Sequence, residues 1–316
     1  MLQTSKSLVL LFSLLVTIDG PKADKPKADK PKGEPAKEDS RLASLEKRLK
    51  GKNINDRVKA AQEIGELGDD GKPLAKALCA AATDPSPKVA EAALAALEKV
   101  RPDLHKPVAI IATYNQINPT ERVLHAIGDI TKMGQDAAPA APTILSCIRF
   151  GIALLNQPSL DVGPSGRHGE ELIYPCLEAM LAIDPDNVAF TKLVLQYASE
   201  RFKIPGHLPG PKTSLAPPIQ DLSAPMQKVR SAAIKTLGKL KESNPQHKQV
   251  VCVLVWCLYD QPTDRFTASP AYEAAQSLGS LGPAAKEAVP YLKKLKSHPD
   301  QIYRDVAEEA LKKIER

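Results

Sequence analysis

The stretch AAQEIGELG, Ala60–Gly68, returns with three changes as AAQSLGSLG at Ala274–Gly282. Taking Ala60 as offset zero, a small residue is followed by larger apolar ones at offsets four and seven. On a helix these three positions fall within an arc of about 60°. The same triplet occurs at seven places: Ala60/Ile64/Leu67, Ala93/Leu97/Val100, Ala126/Ile130/Met133, Cys176/Met180/Ile183, Ala233/Leu237/Leu240, Ala274/Leu278/Leu281 and Ala307/Leu311/Ile314. The anchors stand 33, 33, 50, 57, 41 and 33 residues apart. A triplet alone marks any amphipathic helix, but recurrence at a fixed period marks a stacked array, here of a 33-residue unit with occasional insertions.

A second apolar segment lies between successive anchors: Pro73–Asp84, Pro107–Tyr114, Ala141–Leu155, Val188–Glu200, Lys248–Asp260 and Ala288–Lys296. Pro73 and Pro107 suit a first helical turn, where the missing N–H costs little. Gly68, Gly134 and Gly282, all at offset eight, suit a left-handed C-cap. Each unit therefore reads as helix, turn, helix. Neither helix can bury its apolar stripe alone, so the units must stack.

The text NDRVKAAQEIGELG, SPKVAEAALAALEKV, QKVRSAAIKTLGKL and SPAYEAAQSLGSLGPAAKEAVPYLKKL resembles HEAT repeats, the short bacterial kind related to the repeats of phycobilisome lyases. The resemblance covers roughly Ser40 to Arg316 and speaks to the fold, not to an activity. It implies an all-α chain: an α-solenoid of about six to seven helix-turn-helix repeats, an armadillo-like superhelix, over residues 41–316. Tetratricopeptide and ankyrin signatures are missing.

Composition agrees with packed helices. Of 316 residues, 43% are hydrophobic and 25% charged, while aromatics make up 4%. The net charge of +6 is spread through alternating basic and acidic residues, without the basic stripe and interleaved aromatics of a nucleic-acid binder. The first twenty residues differ. Lys6 precedes an uncharged, mostly apolar run of 11 residues, Leu8–Ile18. That is too short for a bilayer span of roughly 20 residues and reads as the core of a secretory signal. No A-x-A cleavage site follows, which leaves an uncleaved membrane anchor as the alternative. Residues 21–40, with a tandem KADKP unit, read as a disordered Lys/Pro-rich linker. The expected location is therefore periplasmic or extracellular. The five cysteines, Cys79, Cys147, Cys176, Cys252 and Cys257, sit in apolar segments and read as buried small hydrophobes, with one disulfide left open.

Catalytic motifs are missing: no phosphate loop, HExxH, CxxC or GxSxG. His168-Gly-Glu170 followed by Pro175-Cys176 shares part of the zinc deaminase pattern, but the second cysteine would fall at Ala179. No histidine is followed by Glu, so the metal-dependent hydroxylase of HEAT architecture is unsupported. No cofactor is expected and no bilin site is legible.

Two sets of residues are candidates for binding. Arg57, Arg230 and Arg304 share offset minus three. In HEAT proteins such an arginine pairs with Asp from the preceding turn, and Asp56 is a candidate partner; the alternative is a basic row facing a ligand. The long intervals carry 17, 24 and 8 extra residues, placed near 156–169, 203–225 and 261–269. Each is expected between the first and second helix of its unit. They would form a rim beside the groove of second helices, with Phe202, Ile204, Leu208, Ile219 and Phe266 as apolar anchors, or else merely cover the core. The leading expectation is a non-enzymatic protein-interaction scaffold with an unidentified protein partner, no nucleic acid, and membrane contact only through an uncleaved N-terminal segment. A HEAT-type lyase or enzyme accessory and a nucleic-acid-binding solenoid are the alternatives.

Overall fold

The computed structural model describes residues 35–114, 120–155, 165–199, 207–210, 224–260 and 269–316. The expected signal, most of the linker, and Phe202, Ile204, Ile219 and Phe266 lie outside them. Among the described residues all regular structure is helical. In chain order the helices are α1 (Pro35–Leu49), α2 (Ile54–Leu67), α3 (Ala75–Ala81), α4 (Pro87–Val100), α5 (Pro102–Ala112), α6 (Thr120–Met133), α7 (Ala141–Leu155), α8 (Ser165–Ile183), α9 (Val188–Ala198), α10 (Ala224–Leu237), α11 (His247–Cys257), α12 (Pro270–Leu281), α13 (Val289–Leu295) and α14 (Gln301–Ile314). The chain is an all-α solenoid.

The seven anchors fall on α2, α4, α6, α8, α10, α12 and α14, and each is at most 3% exposed. These first helices stack on one another, α2 on α4, α6 on α8, α10 on α12 and α12 on α14. Glycine at offset five brings three of these pairs unusually close. A Cβ on Gly65 would lie 3.0 Å from the Ala96 Cα, one on Gly279 2.9 Å from the Ala310 Cα, and one on Gly238 2.6 Å from the Ser277 Cβ. In all three the facing residue is the small one at offset three of the next unit. Close approach multiplies dispersion contacts along the stripe.

Local chemistry explains where the helices begin. Asn53 Oδ1 accepts from the Asn55 and Asp56 N–H groups at the start of α2. Ser269 caps α12 through the Tyr272 N–H, and Asp300 caps α14 through the Ile302 N–H. The first helices of three units, α2, α6 and α12, end at Gly68, Gly134 and Gly282, with φ of 57°, 58° and 61°. The sign is as expected, but ψ of −122° at Gly68 and −140° at Gly282 lies outside the left-handed helical region. Each glycine instead opens a 3₁₀ turn, Gly68–Leu74, Gly134–Ala140 and Gly282–Ala288, that leads into the second helix.

Four expectations need correction. Helix α1 starts at Pro35, so residues 35–40 are helical rather than linker; Leu45 and Leu49 bury one face of it against α2. Helix α5 starts at Pro102, which places Pro107 inside the helix, where it leaves the Asp103 carbonyl without its helical donor. Pro73 lies within the 3₁₀ turn ahead of α3 rather than in its first helical turn. Finally, the three insertions do not separate the two helices of a unit. They follow the second helix and lead to the first helix of the next unit, at the α7–α8, α9–α10 and α11–α12 junctions. The within-unit turn has no room for them: a Cβ on Gly71 would already meet the Ile64 carbonyl oxygen at 2.8 Å.

All five cysteines are free and buried. Burial pushes the Cys79 thiol up to about 12 and raises Cys257, while Cys176, beside Cys147, stands well above its ordinary range. Ellman's reagent at pH 8 is expected to find few reactive thiols in the folded chain and all five in denaturant; fewer than five after unfolding would reveal a bridge. Two glycines of nearly one helix test the backbone account. Gly128→Ala in α6 meets nothing within 4 Å and should stabilise by about 0.5–1 kcal/mol. Gly134→Ala has equally open surroundings but φ of 58°, and should cost about 1–3 kcal/mol in chemical denaturation.

Candidate partner-binding face

Second helices of different units meet on one side of the stack, α3 and α5 on α7, and α9 on α11. Helix α3 packs on α7 and on the 134–140 turn, whereas the first helices α4 and α6 make little contact. The Thr143 hydroxyl of α7 donates to the Cys79 carbonyl of α3 at 2.9 Å, and Lys76 reaches Asp184 at 3.5 Å. Where α3, α5 and α7 converge, a cavity of about 220 Å³ opens among Thr83, Asp84, Tyr114, Thr143, Cys147 and Phe150. Tyr114 and Phe150 meet edge to face at its wall, 5.6 Å between centroids.

Farther along the same side, α11 and α13 carry an aromatic platform. Cys252, Trp256 and Tyr259 are spaced four and three residues apart, so they share one side of α11 and its C-terminal turn. Tyr259 and Tyr291 pack edge to face at 6.5 Å, and the Lys294 ammonium lies 5.7 Å from the Tyr259 ring. Burial holds both phenols above their usual range, so they remain hydrogen-bond donors at neutral pH.

This platform holds a piece of the second insertion. The Trp256 indole N–H donates to the His207 carbonyl at 3.0 Å, and the Tyr291 hydroxyl donates to the Pro209 carbonyl at 2.7 Å. Pro209 is buried and Leu208 half-buried against the core. The stretch between the two carbonyls has no helical structure.

The three arginines of offset minus three take a common role. Each donates to carbonyls at the end of the preceding helix or in the loop just beyond it. Arg57 donates to the Gly51 and Lys52 carbonyls, Arg230 to that of Ala198, and Arg304 to those of His298 and Pro299. Two of them also pair with an aspartate after the second helix of their own unit, Arg57 with Asp84 at 3.0 Å and Arg230 with Asp260. The partner is thus a following aspartate, not Asp56. At 3% exposure the Arg230 guanidinium is enclosed and presents no charge to a ligand. Of the apolar candidates only Leu208 is described, and it faces inward.

Sequence reading passed over Trp256, Tyr259 and Tyr291, because KQVVCVLVWCLYD and AVPYLKKLK read as ordinary apolar helices. The available signal was compositional: the single tryptophan of an aromatic-poor chain lies three residues from a tyrosine. Among the described residues no cluster of three or more His, Cys, Asp or Glu side chains is arranged to hold a metal.

No protein-family model matches the chain, and no curated protein is significantly similar to it. Among solved structures it is similar to an engineered protein from a structural genomics programme, at 15% identity and a TM-score of 0.34 over 87% of this chain and 96% of that one. A designed armadillo repeat protein matches at 16% identity and a TM-score of 0.28, over 86% and 99%. A computationally designed armadillo repeat protein for modular peptide recognition matches at 16% identity and 0.30, over 86% and 98%. Scores this low carry no argument; the fold rests on the helix stacking itself.

Replacing Arg230 separates a structural arginine from a ligand-facing one. Arg230→Met removes the cation paired with the buried Asp260 and should cost about 3–5 kcal/mol in chemical denaturation. The more exposed Arg57→Met should cost less. A stability change within experimental error at Arg230 would refute the capping role.

Proposed function

We propose that this chain is a non-enzymatic interaction scaffold, built of HEAT-type repeats and exported from the cytoplasm, that holds a protein partner on its second-helix face and the adjoining insertion edge. One observation carries the reading: the α11–α13 surface already holds a non-helical stretch of polypeptide through main-chain carbonyls. Donors directed at backbone suit a protein ligand, whose carbonyls recur whatever its side chains. The insertions support it by position, since they leave three consecutive junctions on the same edge and carry Phe202, Ile204, Ile219 and Phe266. An uncharged apolar anchor beside proline loses little entropy on ordering. The apolar run Leu8–Ile18 and the KADKP spacer support export, on a stalk that sets the solenoid away from its point of attachment.

Crosslinking and co-purification from the native host, with cell fractionation, test partner and location together. The chain is expected in the envelope or the medium, with a captured protein that is lost on Trp256→Ala while helicity persists. Recovery from the cytoplasm with residues 1–20 intact overturns the location. Capture that survives both Trp256→Ala and shortening of the 203–225 insertion overturns the proposed face.

A further inference from the structure

His207–Gly210 contacts the solenoid in the manner of a bound peptide. Its two polar anchors are scaffold side chains donating to its own main-chain carbonyls, from residues 49 and 82 positions away. The recognition therefore asks for main-chain carbonyls and not for particular polar side chains. Proline fits the buried position for a physical reason: any other residue would bring an N–H needing its own acceptor, and burying an unpaired N–H is costly. Glu287, whose charge is felt at Tyr291, and Lys294, over Tyr259, have opposite signs, so the platform favours neither an acidic nor a basic segment. The insertion that supplies the tetrapeptide is rooted between α9 and α10, yet these anchors lie on α11 and α13.

We propose that the Trp256–Tyr291 platform is a receptor site for a non-helical, proline-bearing segment of a partner protein, and that His207–Gly210 fills it in cis, so that binding requires displacement of this internal ligand. The proposal deepens the scaffold function above and rests on its choice of the α11–α13 face. A tethered segment competes at an effective concentration on the order of mM. A free peptide of about 10 µM intrinsic affinity would thus be weakened about 100-fold.

Trp256 is the only tryptophan, so its fluorescence reads the site directly. The full chain is compared with a variant of equal length carrying His207→Gly, Leu208→Ser, Pro209→Gly and Gly210→Ser, and each is titrated with a synthetic peptide of sequence PGHLPGPK (residues 205–212) and a scrambled control. The variant is expected to keep its helical circular dichroism, to show red-shifted and acrylamide-accessible emission, and to bind the peptide saturably, at least tenfold more tightly than the native chain does. Adding Tyr291→Phe should weaken that binding about fivefold to tenfold. Pro209→Ala in the native chain keeps the carbonyl and adds an N–H, and should admit the peptide more readily than wild type.

Loss of helicity in the replaced chain makes the tetrapeptide a structural brace and overturns the proposal. So does retained helicity without saturable binding. Peptide binding combined with partner capture that Tyr291→Phe leaves unchanged supports the internal-ligand reading and removes this face from the scaffold function. Capture abolished by Tyr291→Phe without any peptide binding does the reverse.

Discussion

Burial of one narrow stripe per unit against the next is the interaction on which the molecule depends. A helix of 12 to 14 residues is marginal alone in water. Burying a Leu or Ile side chain contributes about 1.5–3 kcal/mol, and each first helix here buries at least one such side chain as well as its small anchor. Exposed ion pairs such as Lys312–Glu308 contribute about 0–1 kcal/mol. The apolar stripes therefore decide the fold, and the surface charges maintain solubility. Smallness at offsets zero, three and five is what lets helix backbones approach, as at Gly65–Ala96 and Gly279–Ala310.

Stacking divides the connections into two kinds. In three units the turn from first to second helix is pinned by a positive-φ glycine and a 3₁₀ segment whose side chains, such as Leu74, Ala137 and Ala285, enter the core. Extra residues there would pull the two helices of one unit apart. The return from second helix to next first helix is the junction that carries all three long insertions. Variation thus collects at one kind of junction, next to the second-helix face that carries Trp256 and Tyr291.

Buried polar groups serve this same geometry. The arginine at offset minus three ties carbonyls at or just past the end of the previous helix to its own unit, and in two units it also reaches the aspartate after the second helix. Asn244 links neighbouring units in a similar way, donating to Thr191 Oγ1 at 2.9 Å and to the Pro185 carbonyl. Such pairs contribute modest net stability, but removing one partner strands the other in a dry site. They specify how the units are joined more than how strongly.

Periodicity alone determined the class of fold, the seven buried anchors and most second helices, with α7 at Ala141–Leu155 as read, because these depend on contacts repeated along one helix and its neighbour. Helix α1 was missed, since PAKEDSRLASLEKRL has few apolar residues and lies outside the anchor register. The place of the insertions, the aspartate that each arginine meets and the site on α11 and α13 were decided only by tertiary structure. They join residues 27 to 82 positions apart. A repeat pattern records which face of a helix is apolar; it does not record which distant side chain will lie opposite it once the units have stacked.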